Sequence, residues 1–137
     1  MKTIILISSL LTSSVGYAVN MDIIAYIESS NKTQAYNRQS GARGLYQITR
    51  ICLEDYNNLH TIKYNKNDLF DPEINKKIAY WYMNVRIPQL LKYYNIDDNI
   101  NNRLIAYNAG IKRLIDNELP KETKNYLKKY HRLLDKR

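Results

Sequence analysis

One apolar stripe constrains this chain most. In "FDPEINKKIAYWYMNV", Ile74, Ile78, Trp81, Tyr82 and Val85 fall at i, i+4, i+7, i+8 and i+11. That spacing puts all five on one side of an α-helix, but on both faces of a β-strand. The helix also has a defined start. Asp71 caps it, Pro72 takes the first helical position, and Glu73 meets the positive pole of the dipole. Helical periodicity recurs along nearly the whole chain, with no alternating strand pattern, internal repeat or Pro- or Ser-rich linker. A length of 137 residues fits one domain. The expectation is a mainly α, single compact helical domain.

The other elements obey the same logic. A first helix starts near Asn20, a good N-cap, with Met21, Ile24 and Ile27 on its apolar face. "SSN" (Ser29 to Asn31) ends it, because these side chains compete for backbone hydrogen bonds. Asn31 to Ala42 is loop, punctuated by Gly41 and Gly44, and a helical pattern resumes from about Arg43 to Tyr56. Pro88 should kink or break the Asp71 helix, with Leu90, Leu91 and Tyr94 continuing it. A further helix runs from about Asp98 to Ala109, with Ile100, Leu104 and Tyr107 inward and Gly110 as C-terminal cap. A short helix comes next, near Ile111 to Asp116. The last begins around Pro120 and carries Tyr126, Leu127, Tyr130, Leu133 and Leu134 at helical spacing.

Residues 1–18 have the pattern of a secretory signal. Lys2 supplies a positive start, "TIILISSLL" (Thr3 to Leu11) an apolar run, and "GYA" (Gly16 to Ala18) the small residues that a signal peptidase reads. The run is too short to span a membrane as a mature helix. A retained anchor or a buried helix is the alternative. Cleavage after Ala18 would leave about 119 residues (137 − 18), enough for a core without covalent staples. No internal disulfide is possible, because Cys52 is the only cysteine. It lies in an apolar-periodic stretch, so it is a small core residue or, alternatively, a free surface thiol. The formal charge is +8, or +7 without Lys2 (20 basic, 13 acidic). A basic exported domain suggests an anionic partner such as nucleic acid, a lipid surface or a cell-wall polymer. The chain lacks the basic block with interleaved aromatics of a nucleic-acid module.

Glu28 is the residue whose placement demands a reason. It comes four residues after Ile24 and projects from the same apolar face, in the last turn of its helix. Desolvation and the negative end of the helix dipole both oppose its charged form and raise its pKa. A Glu held protonated near neutral pH is a general acid, able to protonate a glycosidic oxygen. The alternative is a Glu that turns to solvent or caps a neighbouring loop.

Four segments in order weigh on that choice: "ES" (Glu28, Ser29), "GARGLYQI" (Gly41 to Ile48), "AYNAG" (Ala106 to Gly110) and "PKETKNYL" (Pro120 to Leu127). In order and spacing the chain resembles the catalytic domain of soluble lytic transglycosylases. This transglycosylase SLT family belongs to the lysozyme-like superfamily and is related to goose-type lysozymes. Its pattern is Glu-Ser, a Gly-Leu-Met-Gln turn, Ala-Tyr-Asn-Ala-Gly, then Glu-Thr-x-x-Tyr-Val. "LFDPEIN" (Leu69 to Asn75) is similar to the family's lead-in to its long helix. The resemblance spans essentially all of residues 19–137. It implies a lysozyme-like α+β fold with a substrate cleft.

The resemblance also implies roles. Glu28 matches the single catalytic acid, and Gln47 the Gln of the turn lining the sugar cleft. Tyr107 and Asn108 match the pair that backs the carboxylate and meets substrate. Glu122 and Tyr126 match the motif that closes the cleft over it. Tyr46 stands where the turn's Met forms a cleft wall, and Ser40 is the candidate for the family's loop Ser. The implied reaction cleaves the β-1,4 bond between N-acetylmuramic acid and N-acetylglucosamine in peptidoglycan. Glu28 would protonate the leaving oxygen and then deprotonate the C6 hydroxyl, giving a 1,6-anhydro end. Asn31 to Ile48 holds no Asp or Glu, in keeping with one carboxylate rather than the usual two. The expected partner is peptidoglycan, in the periplasm or cell wall, for a monomer without stable membrane insertion. Service to a cell-envelope secretion or conjugation machine fits so small a domain, and a phage-derived or general wall-turnover enzyme fits it equally. No cofactor or metal is expected, since His60, His131 and Cys52 lack ligand spacing.

Departures from the family pattern lie around the cleft. Thr49-Arg50 stands where Pro often comes after the turn, and the loop after Glu28 is about one residue longer. Ile111 replaces a common Pro, and Leu127 a Val. Rival readings are a hydrolytic muramidase on the same fold and a non-catalytic wall-binding assembly factor. A nucleic-acid binder has only the charge in its favour.

Overall fold

The computed structural model describes residues 18–137. The leader read over residues 1–18 therefore lies, Ala18 apart, outside the described residues. The helices, in chain order, are α1 (Met21–Ser29), α2 (Arg50–Leu59), α3 (Pro72–Trp81), α4 (Ile87–Tyr93), α5 (Ile100–Ala109), α6 (Ile111–Ile115) and α7 (Lys121–Leu134). A 3₁₀ turn, Asp68–Phe70, leads into α3, and a π turn, Tyr82–Arg86, joins α3 to α4 as one rod.

The helix starts are those the sequence encodes. Asn20 accepts from the backbone N–H groups of Asp22 and Ile23, and Asp71 from those of Glu73 and Ile74. Central helix α5 packs on α4, α6 and α7, and α7 returns to α1. Tyr130 is fully buried on α7, and its hydroxyl accepts from the Asn20 backbone N–H at 2.8 Å. Helix α2 is tied to the rod by Tyr56 edge-on to Trp81 and by an ion pair between Asp55 and Arg86 at 2.6 Å. Cys52 faces the core, 5% exposed, which settles it as a packing residue.

Three expectations need correction. The lysozyme-like α+β assignment fails: the described residues are helical, with no strand. Only isolated bridges, Tyr36 with Arg43 and Arg43 with Ile48, pair extended backbone. The segment cannot extend them, because Gly41, Gly44 and Gln47 all take positive φ, which breaks an extended run. The same residues overturn the helix expected from about Arg43. Helix α2 starts only at Arg50, capped by the Thr49 side chain, which accepts from Cys52.

The third correction concerns the stripe on the long rod. Pro88 does not break it, and the chain widens by a π turn just upstream. The Ile87 N–H bonds the Tyr82 carbonyl five residues back. The extra residue in that turn rotates the downstream half of the rod. Val85, expected inside, is 44% exposed, while Met83, Ile87 and Leu91 are fully buried at spacings of four.

Helix α3 also carries a buried polar residue, Asn75. Its amide Nδ2 donates to the carbonyls of Arg43 and Leu69, both at 2.8 Å. Its Oδ1 accepts from the Tyr46 N–H at 2.8 Å. Gly44 lies against this amide at φ +77°, and a Cβ there would overlap both Asn75 Nδ2 and the Leu69 carbonyl. Gly41 has φ +73° but opens onto free space. Replacing Gly44 with Ala should therefore cost ~3 kcal/mol or more, and Gly41→Ala only about 1–2 kcal/mol. Urea unfolding of the two variants checks this. Equal losses would mean that backbone strain alone, not the Asn75 contact, fixes Gly44.

Candidate functional site

Glu28 sits at the end of α1, half-buried, where Ser30 and Asn31 turn the chain away with φ of 54° and 62°. Its Oε1 accepts from the Tyr126 hydroxyl at 2.9 Å, a contact spanning 98 residues of sequence. Burial pushes its pKa up to about 7, against the Tyr126 hydrogen bond, which favours the charged form. Smaller effects oppose each other. The Glu122 charge raises the value and the Lys129 charge lowers it. Burial, then the Glu28 charge, also holds the hydroxyls of Tyr126 and Tyr107 well above the usual phenol range.

Beside α1 lies the turn Arg43 to Ile48. Ser29 Oγ is 2.8 Å from the Leu45 carbonyl and 3.1 Å from that of Ala25, so it fastens the helix end to this turn. Tyr107, on α5, donates its hydroxyl to the Tyr46 carbonyl at 2.7 Å. The turn is thus held from α1, α3 and α5. Gln47 occupies the left-handed region at φ 51°, with its amide donating to the Gly44 carbonyl at 3.0 Å. That bond compensates part of the cost of a non-glycine residue there.

Gln47, Tyr107 and Asn108 share a groove of about 240 Å³, walled also by Ile51, Tyr82 and Gly110. A lining that mixes amide groups with apolar and aromatic side chains suits an uncharged ring with polar substituents.

The structure brings some of the expected residues together and not others. Glu28 and Tyr126 are in contact, and Glu122, exposed in the first turn of α7, acts on Glu28 through its charge. Gln47, Tyr107 and Asn108 meet in the groove. Tyr46 does not line it with its ring, which is 2% exposed and edge-on to Tyr80 at 6.2 Å. Its carbonyl is the group that Tyr107 uses. Ser40 is exposed in the loop, where its hydroxyl accepts from the Ala42 N–H, and it joins none of these groups.

Two residues that the sequence left without a role enter the arrangement, Asn75 and Lys129, and Ser29, read there as a helix stop beside Glu28, also fastens the turn. Asn75 had a signal. It is an amide three residues before Ile78, on a stripe otherwise apolar. Lys129 had none beyond its nearness to Tyr126.

A family model, the Transglycosylase SLT domain, matches residues 18–130. No curated protein and no solved structure matches the chain.

The geometry makes two predictions. Tyr126→Phe removes a donor to the carboxylate, so the Glu28 pKa should climb by about one unit from its value near 7. A ¹³C titration of the Glu28 carboxyl reads this directly, and an unchanged midpoint would contradict it. The second concerns stability. The folded pKa of Glu28 is raised, from 4.5 to about 7, so the fold binds this proton more tightly than the unfolded chain does. Stability is therefore lost as pH rises across that window and is level above it. Glu28→Gln escapes the loss. Its advantage should be absent near pH 4, grow through the window, and level off above pH 7 on the order of 3 kcal/mol. Thermal unfolding at several pH values tests the trend; a constant difference would refute it.

Proposed function

The chain belongs to the transglycosylase SLT family, whose model covers residues 18–130, and on that premise we propose a peptidoglycan lytic transglycosylase with Glu28 as its single acid and base. Family membership supports the lytic transglycosylase class. The reaction and the residue roles are our own reading.

The observation that carries it is the state of Glu28. It is half-buried, bonded by Tyr126, and held at a pKa of about 7 chiefly by burial. A carboxyl with that value exists in both forms near neutrality, as a group serving first as acid and then as base requires. Protonated Glu28 gives its proton to the glycosidic oxygen between N-acetylmuramic acid and N-acetylglucosamine. The C1–O bond breaks, and positive charge develops at C1 of the muramic acid. The carboxylate then takes the proton of the C6 hydroxyl as that oxygen attacks C1. A 1,6-anhydro end forms, no water is consumed, and Glu28 is protonated again.

The other groups support this cycle. Tyr126 orients the carboxyl and steadies its charged form. Asn108 offers its amide and Gln47 its side-chain carbonyl to the sugar from the groove, the Gln47 nitrogen being held by the Gly44 and Ala35 carbonyls. Tyr107, bonded to the Tyr46 carbonyl, fixes the turn that presents Gln47. Glu122 disfavours early loss of the Glu28 proton. Residues 1–18 act as an export signal, and residues 19–137 form the catalytic domain, a monomer working in the periplasm or cell wall.

Purified protein incubated with peptidoglycan should release muropeptides lighter by one water than hydrolytic products. Glu28→Gln should lower the rate at least a hundredfold. The parent rate should fall as pH rises above about 7, because the cycle starts from protonated Glu28. Mass spectrometry of the digest decides. Reducing ends would make the protein a hydrolytic muramidase, and equal activity of Glu28→Gln would remove that residue from the chemistry.

A further inference from the structure

The charge of this molecule is unevenly placed. Lys121 to Arg137 holds seven Lys or Arg and two acids, a net of +5 (7 − 2). Residues 19–120 hold the other 13 basic and 11 acidic groups, a net of +2 (20 − 7 and 13 − 2). Most of the excess therefore lies on one helix and the residues after it. Along α7, Thr123, Tyr126 and Tyr130 face the core, while Lys121, Lys124, Lys128 and Arg132 stand exposed. Those four succeed one another at three or four residues, forming one ridge along the outer side. None of the four is ion-paired among the described residues.

The ridge borders a shallow basin of about 270 Å³ lined by Asn125, Lys128, Lys129 and Arg132. Lys129 links basin and site. It is half-buried, its ammonium lies 5.8 Å from the centre of the Tyr26 ring, and its charge reaches Glu28. A solvated helix face needs charge but no such basin, and no cation shared with a buried carboxyl.

We propose that the α7 ridge and its basin are a binding site for the carboxylates of peptidoglycan stem peptides. This rests on the reading of the protein as a wall enzyme. The occupant is chosen by charge and reach. The glycan itself offers little charge, whereas stem peptides end in carboxylates and branch from the same muramic acid residues whose bonds are cut. Helix α7 is about 21 Å long, and Tyr126 on it touches Glu28. The ridge lies on the face of α7 away from Tyr126, so a stem peptide from a strand held at Glu28 has about one helix diameter, ~10–12 Å, to cross, with Lys129 on the way. Multiple weak, screened contacts of this kind add up along a polymer although each is small.

The test uses the triple variant Lys124→Gln, Lys128→Gln, Arg132→Gln, which leaves Lys129 and Tyr126 in place. Co-sedimentation with purified sacculi measures binding without catalysis. The variant should bind roughly tenfold more weakly than the parent. Sacculi whose peptide carboxylates have been amidated should bind the parent no better than the variant. Lys128→Arg, which keeps the charge, should bind like the parent, and circular dichroism should show all variants folded. In digestion the triple variant should raise KM on intact sacculi and leave kcat unchanged. The proposal is overturned if the triple variant sediments like the parent, or if amidation leaves parent binding intact. It is also overturned if the variant loses binding only to duplex DNA or phosphatidylglycerol vesicles. A protein that cleaves nothing yet shows ridge- and carboxylate-dependent sedimentation would refute the enzyme reading and leave the ridge standing.

Discussion

The site depends on one buried amide. Asn75 uses both donors and its acceptor on three backbone groups of two segments that would otherwise be free to part. Arg43 has only an isolated bridge to Ile48 and Leu69 only a single 3₁₀ turn, so neither segment is fixed by regular structure, and an unmet buried amide costs more than a made bond returns. The clamp therefore acts less by its own strength than by making every alternative position of the turn expensive. Gly44 is a consequence of it. The backbone must come close enough for Asn75 to reach Arg43 and Leu69, and at that distance no side chain fits. The Gln47 backbone, held in a left-handed conformation, is tolerated because the turn on which it sits cannot relax.

On that fixed turn, the Glu28 carboxyl is balanced by opposing effects. Burial is the largest and favours the neutral form, while the Tyr126 hydroxyl favours the charged one. The value near 7 is their balance. Burial without the donor would leave a weaker acid, slower to lose its proton. A donor without burial would leave an ordinary carboxylate. Glu122 and Lys129, from the same helix as Tyr126, pull in opposite directions at longer range. Helix α7 thus supplies every named charge or hydrogen bond that tunes Glu28, although α1 carries the residue.

The sequence is legible wherever the deciding interactions are local. The caps at Asn20 and Asp71 are local, and both form as written. Helical periodicity is local, so the helices and the inward faces of α5 and α7 could be read directly. The stripe failed at Val85, because a π turn changes the phase by one residue and a period of 3.6 presumes none. Arg43 to Ile48 looked helical because Leu45, Tyr46 and Ile48 are apolar. Its actual conformation is imposed by contacts 29 and 61 residues away, at Asn75 and Tyr107. The α+β assignment came with the family likeness rather than from any alternating pattern, and the described residues have none. Tyr46 illustrates the limit of carrying roles by motif. Tyr46 matches the motif position, yet its ring is buried away from the groove, and its carbonyl is the group that meets Tyr107.

The contacts that build the site join residues far apart in sequence: Ser29 to Leu45, Tyr46 to Asn75, Tyr46 to Tyr107, and Glu28 to Tyr126. The last two are lost if α5 or α7 leaves its place, so the carboxyl's unusual pKa is a property of the assembled domain. The dependence also runs the other way. With Glu28 ionised, the fold carries a desolvated charge that solvent would stabilise, and opening α7 away from α1 would relieve it. Tyr130, bonded to the Asn20 backbone one turn beyond Tyr126, opposes that opening. It is fully buried. Tyr126 and Tyr130 therefore divide the work on one helix face, the first setting the state of the carboxyl and the second holding the helix against the strain that this state creates.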